Sequence, residues 1–522
     1  VPEMAAPYFS ILTPVYNPGV GVLQEMIDSV TAQSFTDWEL VLVDDLSPDA
    51  GVRDVLRAAA AADSRIRVVE RETNGGICAA SNDAVDVARG EFLALLDHDD
   101  LLTADALKQM HAAIQREPEV DYLYSDEDKI DEDGNRFSLF RKPPWSPERF
   151  RAQMYTCHLS VLRASLVREV GAFRLGFDGS QDHDLVLRVT ERARRVVHVP
   201  EVLYHWRAIA SSTAASAEAK PYAVDARVRA VRDHLERTGI KATTYLEPRT
   251  GSVLLRRELD PDSLVSIVIP TRGTSRRVWG RTRVLVVEAV RSVLEKGGHE
   301  NVELVVVHDE STPDGVLAEL REVAGDRLKL VPYDAPFNFS EKCNLGVLAA
   351  SGDLLVILND DIELITDNFL PDLVGPILEP GVGLTGANLR FADTTAQHVG
   401  LVFKNCHVIH AFPRTALDDP GHFAALVINR EVSGVTGACI AVTRETYERA
   451  GGMTETLPVN FNDVDFSLKI AHLGLRIVWV STARAFHFES QTRVAKVEPW
   501  ERDRLLRRWD IPRNDPYLPG VS

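Results

Sequence analysis

The sequence is short of cysteine and of positive charge, and it has no long apolar run. Five cysteines, Cys78, Cys157, Cys343, Cys406 and Cys439, are scattered over 522 residues with no Cys-x-x-Cys spacing. That spacing excludes a paired-cysteine zinc site. The odd count argues against a complete disulfide framework, so a reduced compartment fits. No uninterrupted apolar stretch reaches the roughly 20 residues of a membrane helix. Val1–Phe9 is short, polar and proline-containing and does not read as a signal peptide. Lys and Arg number 58 against 77 Asp and Glu, a net charge of −19. Such a chain is a poor partner for a nucleic-acid polymer, whose binding depends on neutralising phosphates. An acidic cluster can instead hold a hard cation that then meets a small polyanion. Gly-x-Gly-x-x-Gly after a first strand is also missing, which removes support for a dinucleotide-binding fold.

What the sequence does contain is itself, twice. Ser10-Ile-Leu-Thr-Pro-Val-Tyr-Asn17 reads as a buried strand ending in a turn, and Ser266-Ile-Val-Ile-Pro-Thr-Arg-Gly273 repeats it. Trp38–Asp45 is echoed by Val302–Asp309. Asn82 lies eight residues before Gly90 and fifteen before Asp97; Asn344 lies eight before Gly352 and fifteen before Asn359. Gln181-Asp-His-Asp-Leu185 answers to Asn462-Asp-Val-Asp-Phe466, and His205 and His487 follow at 23 and 24 residues from Asp182 and Asp463. Buried parallel strands are all Val/Ile/Leu runs and would look alike by composition. Composition does not explain repeated spacings of Asn, Gly and acid, so the chain reads as a tandem duplication.

In each copy apolar strands alternate with helical stretches: Val20–Gln33 and Ala50–Ala62 in the first, Val284–Leu294 and Gly315–Val323 in the second. The alternation predicts an α/β fold, two mostly parallel sheets flanked by helices. The expected boundaries are 1–210 for the first domain, 211–262 for a connector, 263–490 for the second domain and 491–522 for a closing helix and tail. Ala208–Ala219 reads as a loop, Tyr222–Thr238 as a helix stopped by Gly239, Tyr245–Arg257 as a strand pair, and Pro499–Trp509 as a last helix.

Ligands on such sheets sit at the carboxyl ends of strands, where the Pro, Asn and Asp clusters fall. Asp97-His-Asp-Asp100 and Asn359-Asp-Asp361 put carboxylates at the end of an apolar strand, which is costly unless a cation arrives. Helix capping is the competing role for such an acid. Asp45 and Asp309 end the second strand of each copy, where a base or ribose contact and plain turn chemistry compete. Tyr16 offers an aromatic for stacking. Asp182 and Asp463 each open an amphipathic helix, and a carboxylate there can act as general base.

These residues resemble glycosyltransferase family 2, whose domains have the GT-A-type nucleotide-diphospho-sugar fold. The resemblance runs through Tyr124-Ser-Asp-Glu-Asp-Lys129, Lys142-Pro-Pro-Trp-Ser-Pro147, Asp178-Gly-Ser-Gln-Asp182 and Leu203-Tyr-His-Trp-Arg207 in the first copy. In the second it runs through Phe337-Asn-Phe-Ser340, Gln397-His398, His410-Ala-Phe412, Thr436-Gly-Ala-Cys439, Asn462-Asp-Val-Asp465 and His487-Phe-Glu-Ser490. It is similar to tandem transferases of bacterial surface polysaccharides, of the rhamnan, capsule and O-antigen kind. The resemblance implies Asp182 and Asp463 as catalytic bases of an inverting displacement. It implies Asp97, Asp99, His205, Asp361 and His487 around Mn²⁺ or Mg²⁺. Donor contacts are expected from Pro14, Tyr16, Asp45, Asn74, Asp97, Pro270, Arg272, Asp309, Asn344 and Asp360, and acceptor contacts from Gln181, His183, Asn462 and Trp206. The implied donor is a UDP- or dTDP-linked sugar and the implied acceptor a lipid-linked glycan. The expected location is the cytoplasm, with peripheral contact at the inner face of the cytoplasmic membrane left open. His308 in place of Asp44, and Asn359 in place of Asp97, leave two readings: two active copies, or one active copy beside a binding module.

Overall fold

The computed structural model describes residues 6–208, 221–488 and 497–519. Two compact units emerge: Val1–Trp145 with Gln153–Gly239, and Ser146–Ala152 with Ile240–Ser522. In the first unit the sheet runs Ile66–Glu70, Trp38–Asp44, Phe9–Val15, Phe92–Leu95, Ser160–Arg163, Tyr122–Ile130, Val196–Arg207, Leu101–Leu102. In the second it runs Leu328–Tyr333, Val302–Asp309, Val265–Thr271, Leu354–Leu358, Cys439–Thr443, Val382–Arg390, Arg476–His487, Ile362–Leu364. The order is the same. In each sheet the first four strands are parallel, and the strand pairs beyond them are mainly antiparallel. Helices Val20–Thr31, Ala50–Ala62 and Gly76–Val87 flank the first sheet, and Leu285–Lys296, Asp314–Ala324 and Phe339–Ala349 the second. Every residue of the strands Phe9–Val15 and Val265–Thr271 is buried apart from Pro14, so both read as near-continuous apolar runs.

The shared spacings have a structural cause. Ser10 Oγ donates to Glu39 (2.6 Å) and accepts from Gly90 N–H (2.8 Å). Ser266 and Gly352 reproduce this bond at 2.8 Å, with Glu303 as the acid. A Cβ at Gly90 would stand 2.5 Å from the Ser10 backbone nitrogen, so only glycine lets the strand approach. Asn82 clamps Phe173 by both its amide atoms (2.9 Å each), and Asn344 clamps Met453 the same way (2.9 Å each). Each asparagine fixes the loop that precedes the Asp182 or Asp463 helix. Asn344 also accepts from Tyr447 Oη (2.6 Å) and donates to Glu455. Its amide is therefore engaged by its own unit.

The connecting helix is Pro221–Thr238, ended by Gly239 at φ +71°, and the strand pair is Ala242–Leu246 with Val253–Arg257. The expected loop Ala208–Ala219 lies, beyond Ala208, outside the described residues, as do Glu489 and Ser490. The last helix, Pro499–Arg508, seats Leu505 against Leu401, Phe403 and Val464. Among the described residues no helix is long and apolar enough to cross a membrane.

A buried ion network holds the second unit. Arg257, 2% exposed, pairs with Glu148 and with Glu379 (2.6 Å), and Arg151 pairs with the same two acids at 2.6 and 2.8 Å. Burial alone would raise the Glu379 carboxyl, but the two guanidinium groups pull it down to about 2. Because that value is below the unfolded one, its stabilisation is present above about pH 4.5 and is lost as pH falls towards 2. Removing one cation leaves buried acids uncompensated. Arg257→Met should therefore cost the second unit about 3–5 kcal/mol in urea unfolding at pH 7, and a loss below about 1 kcal/mol would contradict a network of matched charges.

Candidate active site

In the first copy the carboxyl ends of Phe9–Val15 and Phe92–Leu95 open on a recess lined by Leu12, Pro14, Asp97, His158, Gln181 and Asp182, with Cys157 at its wall. Asp182 belongs to the helix Gln181–Thr190 but does not cap it; Ser180 is the N-cap and makes no side-chain capping bond. Its neighbour Asp184 takes the structural role, fully buried and paired with Arg174 and with Arg188 (2.7 Å). The repeat behaves alike. Asp465 is fully buried against Thr454 (2.6 Å), Trp509 (2.8 Å) and Lys469 (3.5 Å), while Asp463 accepts from Gly437 N–H (3.1 Å) and from Val464 N–H (2.8 Å). Two acids per helix thus divide their work, one neutralised in the packing and one at the strand ends. Burial, and then the charge of Asp97, push Asp182 up to about 7.

Asp97 stands with Asp100 and His158: one ligand atom from each, all within 4.8 Å of one another. Among the described residues this is the one such group of three. Asp100 is buried and tied down, accepting from Tyr204 Oη (2.5 Å) and Arg207 N–H (2.7 Å). Burial, followed by the charges of Asp97 and Asp99, drives its pKa well above the usual carboxylate range. Asp99 is raised chiefly by burial, and it does not converge with the group of three. His205 was expected beside these acids. Instead its Nδ1 pairs with Asp128 at 2.5 Å.

Strand register gives the reason. Leu101 lies opposite His205, whereas Glu363, the counterpart of Leu101, lies opposite Phe486. His205 therefore matches Phe486, and Trp206 matches His487. Successive strand residues face opposite sides, so the one-residue offset turns His205 away.

In the second copy His487 does reach the acids. Its Nε2 is 3.2 Å from Asp361 Oδ1 and 3.4 Å from Asn359 Nδ2, while its Nδ1 is 2.9 Å from Gln397 Oε1. The Gln397 amide nitrogen faces the His487 carbonyl (3.4 Å), which sets the amide oxygen towards Nδ1 and the ring proton there. Nε2 then presents its lone pair to a carboxylate. Asp361 Oδ1 and Asn359 Oδ1 are buried without a hydrogen-bond partner. The carboxylate oxygen of Asp361 and the imidazole of His487, 3.2 Å apart, are donors of the kinds that a divalent cation takes. Next to them Asp360 accepts from Thr271 Oγ1 (2.7 Å), and burial and then Asp361 raise it to about 6. His398 accepts from Thr436 N–H at 3.2 Å, next to the Gly437 that holds Asp463. The sequence did not single out the positioning of Gln397 or the approach of His158.

The remaining expected contacts scatter. Asp45 accepts from Arg71 (2.5 Å) and from Gly75 and Gly76 N–H (2.9 Å each), and Asn74 donates to the Asp45 carbonyl (2.9 Å). Asp45 thus fixes a loop and has about one of its four lone-pair sites left. Asp309 is met by the buried Lys342 (2.5 Å) and by Arg272 (3.3 Å). Tyr16 is 52% exposed at the mouth, and Pro270 is buried in its strand. Gln181 accepts from Gly179 N–H (2.8 Å) and faces Asp182 (3.4 Å). His183 and Asn462 are buried in their helices, so their expected contact with an acceptor is not open in this structure. Trp206 packs edge-on to His158, ring centroids 5.6 Å apart.

Two sheets of this order, each closing on strand-end carboxylates beside a helix-borne aspartate, define the architecture of a sugar-transferring enzyme. The chain belongs to glycosyl transferase family 2, whose family model matches residues 10–171 and again 266–450, and it is a glycosyltransferase. It is 41% identical over 512 residues to the uncharacterized protein y4gI of Sinorhizobium fredii, covering 97% of this chain and 55% of that one. It is 34% identical over 519 residues to the O-antigen biosynthesis protein RfbC of Myxococcus xanthus, covering 98% of this chain and 40% of RfbC. The chain thus spans about half or less of the length of these relatives. The structure of S. aureus TarS residues 1–349 in complex with UDP-GlcNAc aligns at 23% identity over 44% of this chain and 66% of that one, with a TM-score of 0.37.

A base must be ionised to accept a proton. If Asp182 and Asp463 are the bases of the two copies, activity of the Asp463→Asn chain should fall as pH drops through about 7. A pH–rate profile flat down to pH 5 would contradict this placement of Asp182.

Proposed function

We propose that the chain makes two linkages of a bacterial surface glycan, one in each copy, by inverting transfer from nucleotide-diphosphate sugars. The observation that carries this reading is the division of the paired aspartates: Asp182 and Asp463 are kept out of the ion pairs that bind Asp184 and Asp465. A carboxylate held this way takes the proton of an acceptor hydroxyl as that oxygen attacks the anomeric carbon. The bond from that carbon to the diphosphate oxygen breaks on the opposite side, and the proton stays on the aspartate. In the second copy Gly437 N–H aims the carboxylate, and His398 holds the turn from which that N–H comes.

A divalent cation, Mn²⁺ or Mg²⁺, offsets the charge on the leaving diphosphate when bound. It belongs with Asp97 and Asp100 in the first copy, and with Asp361, His487 and the Asn359 oxygen in the second. Pro14, Tyr16 and the loop fixed by Asp45 lie on the donor side of the first copy, and Arg272, Asp309 and Asp360 on that of the second. The RfbC relative supports a surface-glycan product, and the UDP-GlcNAc bound to TarS is a reason to begin with UDP-sugars. A lipid-linked acceptor, met at the inner membrane face, is part of the same proposal.

The second copy also supports a rival role as a donor-independent module, because Lys342 and Arg272 already neutralise Asp309. The two readings separate in one experiment. Purified chain is offered a panel of UDP- and dTDP-sugars with Mn²⁺ and an acceptor glycan, and nucleoside diphosphate release is measured. Asp182→Asn and Asp463→Asn should each remove a different product at least a hundredfold, on the scale of general-base loss. If Asp463→Asn changes no product, the second copy is a binding module.

A further inference from the structure

We propose that His158 supplies the imidazole to the cation of the first copy, a role that His487 fills in the second from a different part of the fold. The inference rests on the metal-dependent reading above and adds a residue to it.

The argument is one of register. Leu95 pairs with Ser160 and Ile357 pairs with Ile440, so the residue two before each of these, His158 or Ala438, occupies the same place in the two sheets. Trp206 and His487 are the other matched pair, by the strand opposite Leu101–Leu102 and Ile362–Leu364. The first copy thus combines His158 with Trp206, and the second combines Ala438 with His487. In each copy an imidazole reaches the strand-end acids, His158 from the segment before Ser160 and His487 from the last strand. The exchange is also sterically sensible. Where the late strand carries a histidine the facing position is a small alanine. Where it carries a tryptophan the histidine comes from the facing position and packs against that ring.

His158 itself looks like a ligand and not a packing residue. It is 8% exposed, and among the described residues its hydrogen bonds are made by its backbone. One of them stands within 4.8 Å of the nearest carboxylate oxygens of Asp97 and Asp100. Its ring is stacked on Tyr204 at 4.4 Å and 13°, and Tyr204 in turn holds Asp100. Its backbone is anchored too: its N–H donates to Glu127 (3.3 Å) and its carbonyl accepts from the buried Lys142 (2.5 Å). A buried, oriented imidazole beside two carboxylates is the donor set of a divalent transition-metal site. It favours Mn²⁺ over Mg²⁺, which prefers an all-oxygen shell.

The test uses the full chain carrying Asp361→Asn and His487→Phe, so that binding is read from the first copy alone. Mn²⁺ alone is titrated by electron paramagnetic resonance. His158→Phe keeps the stacked ring and removes its nitrogens; His158→Ala removes both, and thermal unfolding reports whether either variant is misfolded. The account expects His158→Phe to weaken Mn²⁺ at least tenfold with unfolding unchanged. It also expects loss of the nitrogen modulation in the electron spin-echo signal, and a change of less than about threefold in Mg²⁺ competition. His205→Phe should leave Mn²⁺ affinity within about twofold. Retention of affinity and nitrogen modulation in His158→Phe, or their loss in His205→Phe, would overturn the assignment. If Mn²⁺ binds, Asp97→Asn weakens it and His158→Phe does not, only this inference fails. If no Mn²⁺ binds, the metal-dependent reading fails with it.

Discussion

The constraint on which the site depends is electrostatic: acids are held at the ends of strands whose interiors are wholly apolar. Asp97 and Asp182 share one recess, and burial together with their mutual repulsion keeps Asp182 protonated to about pH 7. In the second copy Asp361 turns a carboxylate oxygen towards His487, and Asn359 Oδ1 is buried beside it without a hydrogen-bond partner. A fold selected for stability alone would pair such groups or remove them. The surrounding polar core shows that this chain can do so. Glu127 with Lys142, Asp128 with His205, and Asp184 with Arg174 and Arg188 are all matched within the same unit. Among the described residues Asp97 and Asp361 stand at strand ends without a Lys or Arg partner, where a cation and a phosphate-bearing ligand would complete them.

Much of the architecture was legible in the sequence, because the repeat is written in residues with a single structural use. Gly90 and Gly352 admit a close strand approach, and Ser10 and Ser266 bond them. Asn82 and Asn344 clamp a loop by both amide atoms. These positions gave the two-copy reading and the order of elements. The same spacings also serve packing: Asn344 is bonded to Met453, Tyr447 and Glu455. In the strings Tyr124–Lys129 and Lys142–Pro147, which carried part of the family resemblance, Asp126, Glu127, Asp128 and Lys142 are spent on interior pairs.

What the sequence could not supply was register. Counting residues set His205 beside His487, but the segments from Asp182 and from Asp463 are of equal length and the strands match His205 to Phe486, so the two histidines face opposite sides. The same arithmetic hid His158, whose counterpart Ala438 offers nothing to a pattern search. Asp182 and Asp463 each stand two residues before a second acid, Asp184 or Asp465. One neutralising cation, Arg188 or Lys469, sits four residues on in the same helix, while the other, Arg174 or Arg508, comes from a different element in each copy and shows only in the packing.

The central claim is that Asp97 and Asp182 form one electrostatic unit awaiting a cation. Its most direct test is the titration of the Asp182 carboxyl by carbon NMR, in the metal-free chain and again with saturating diamagnetic Mg²⁺. The account predicts a midpoint near 7 without the metal and a fall of about one unit or more with it, since a nearby cation favours the ionised form. A midpoint near 4 without metal, or one near 7 that Mg²⁺ does not move, would contradict it.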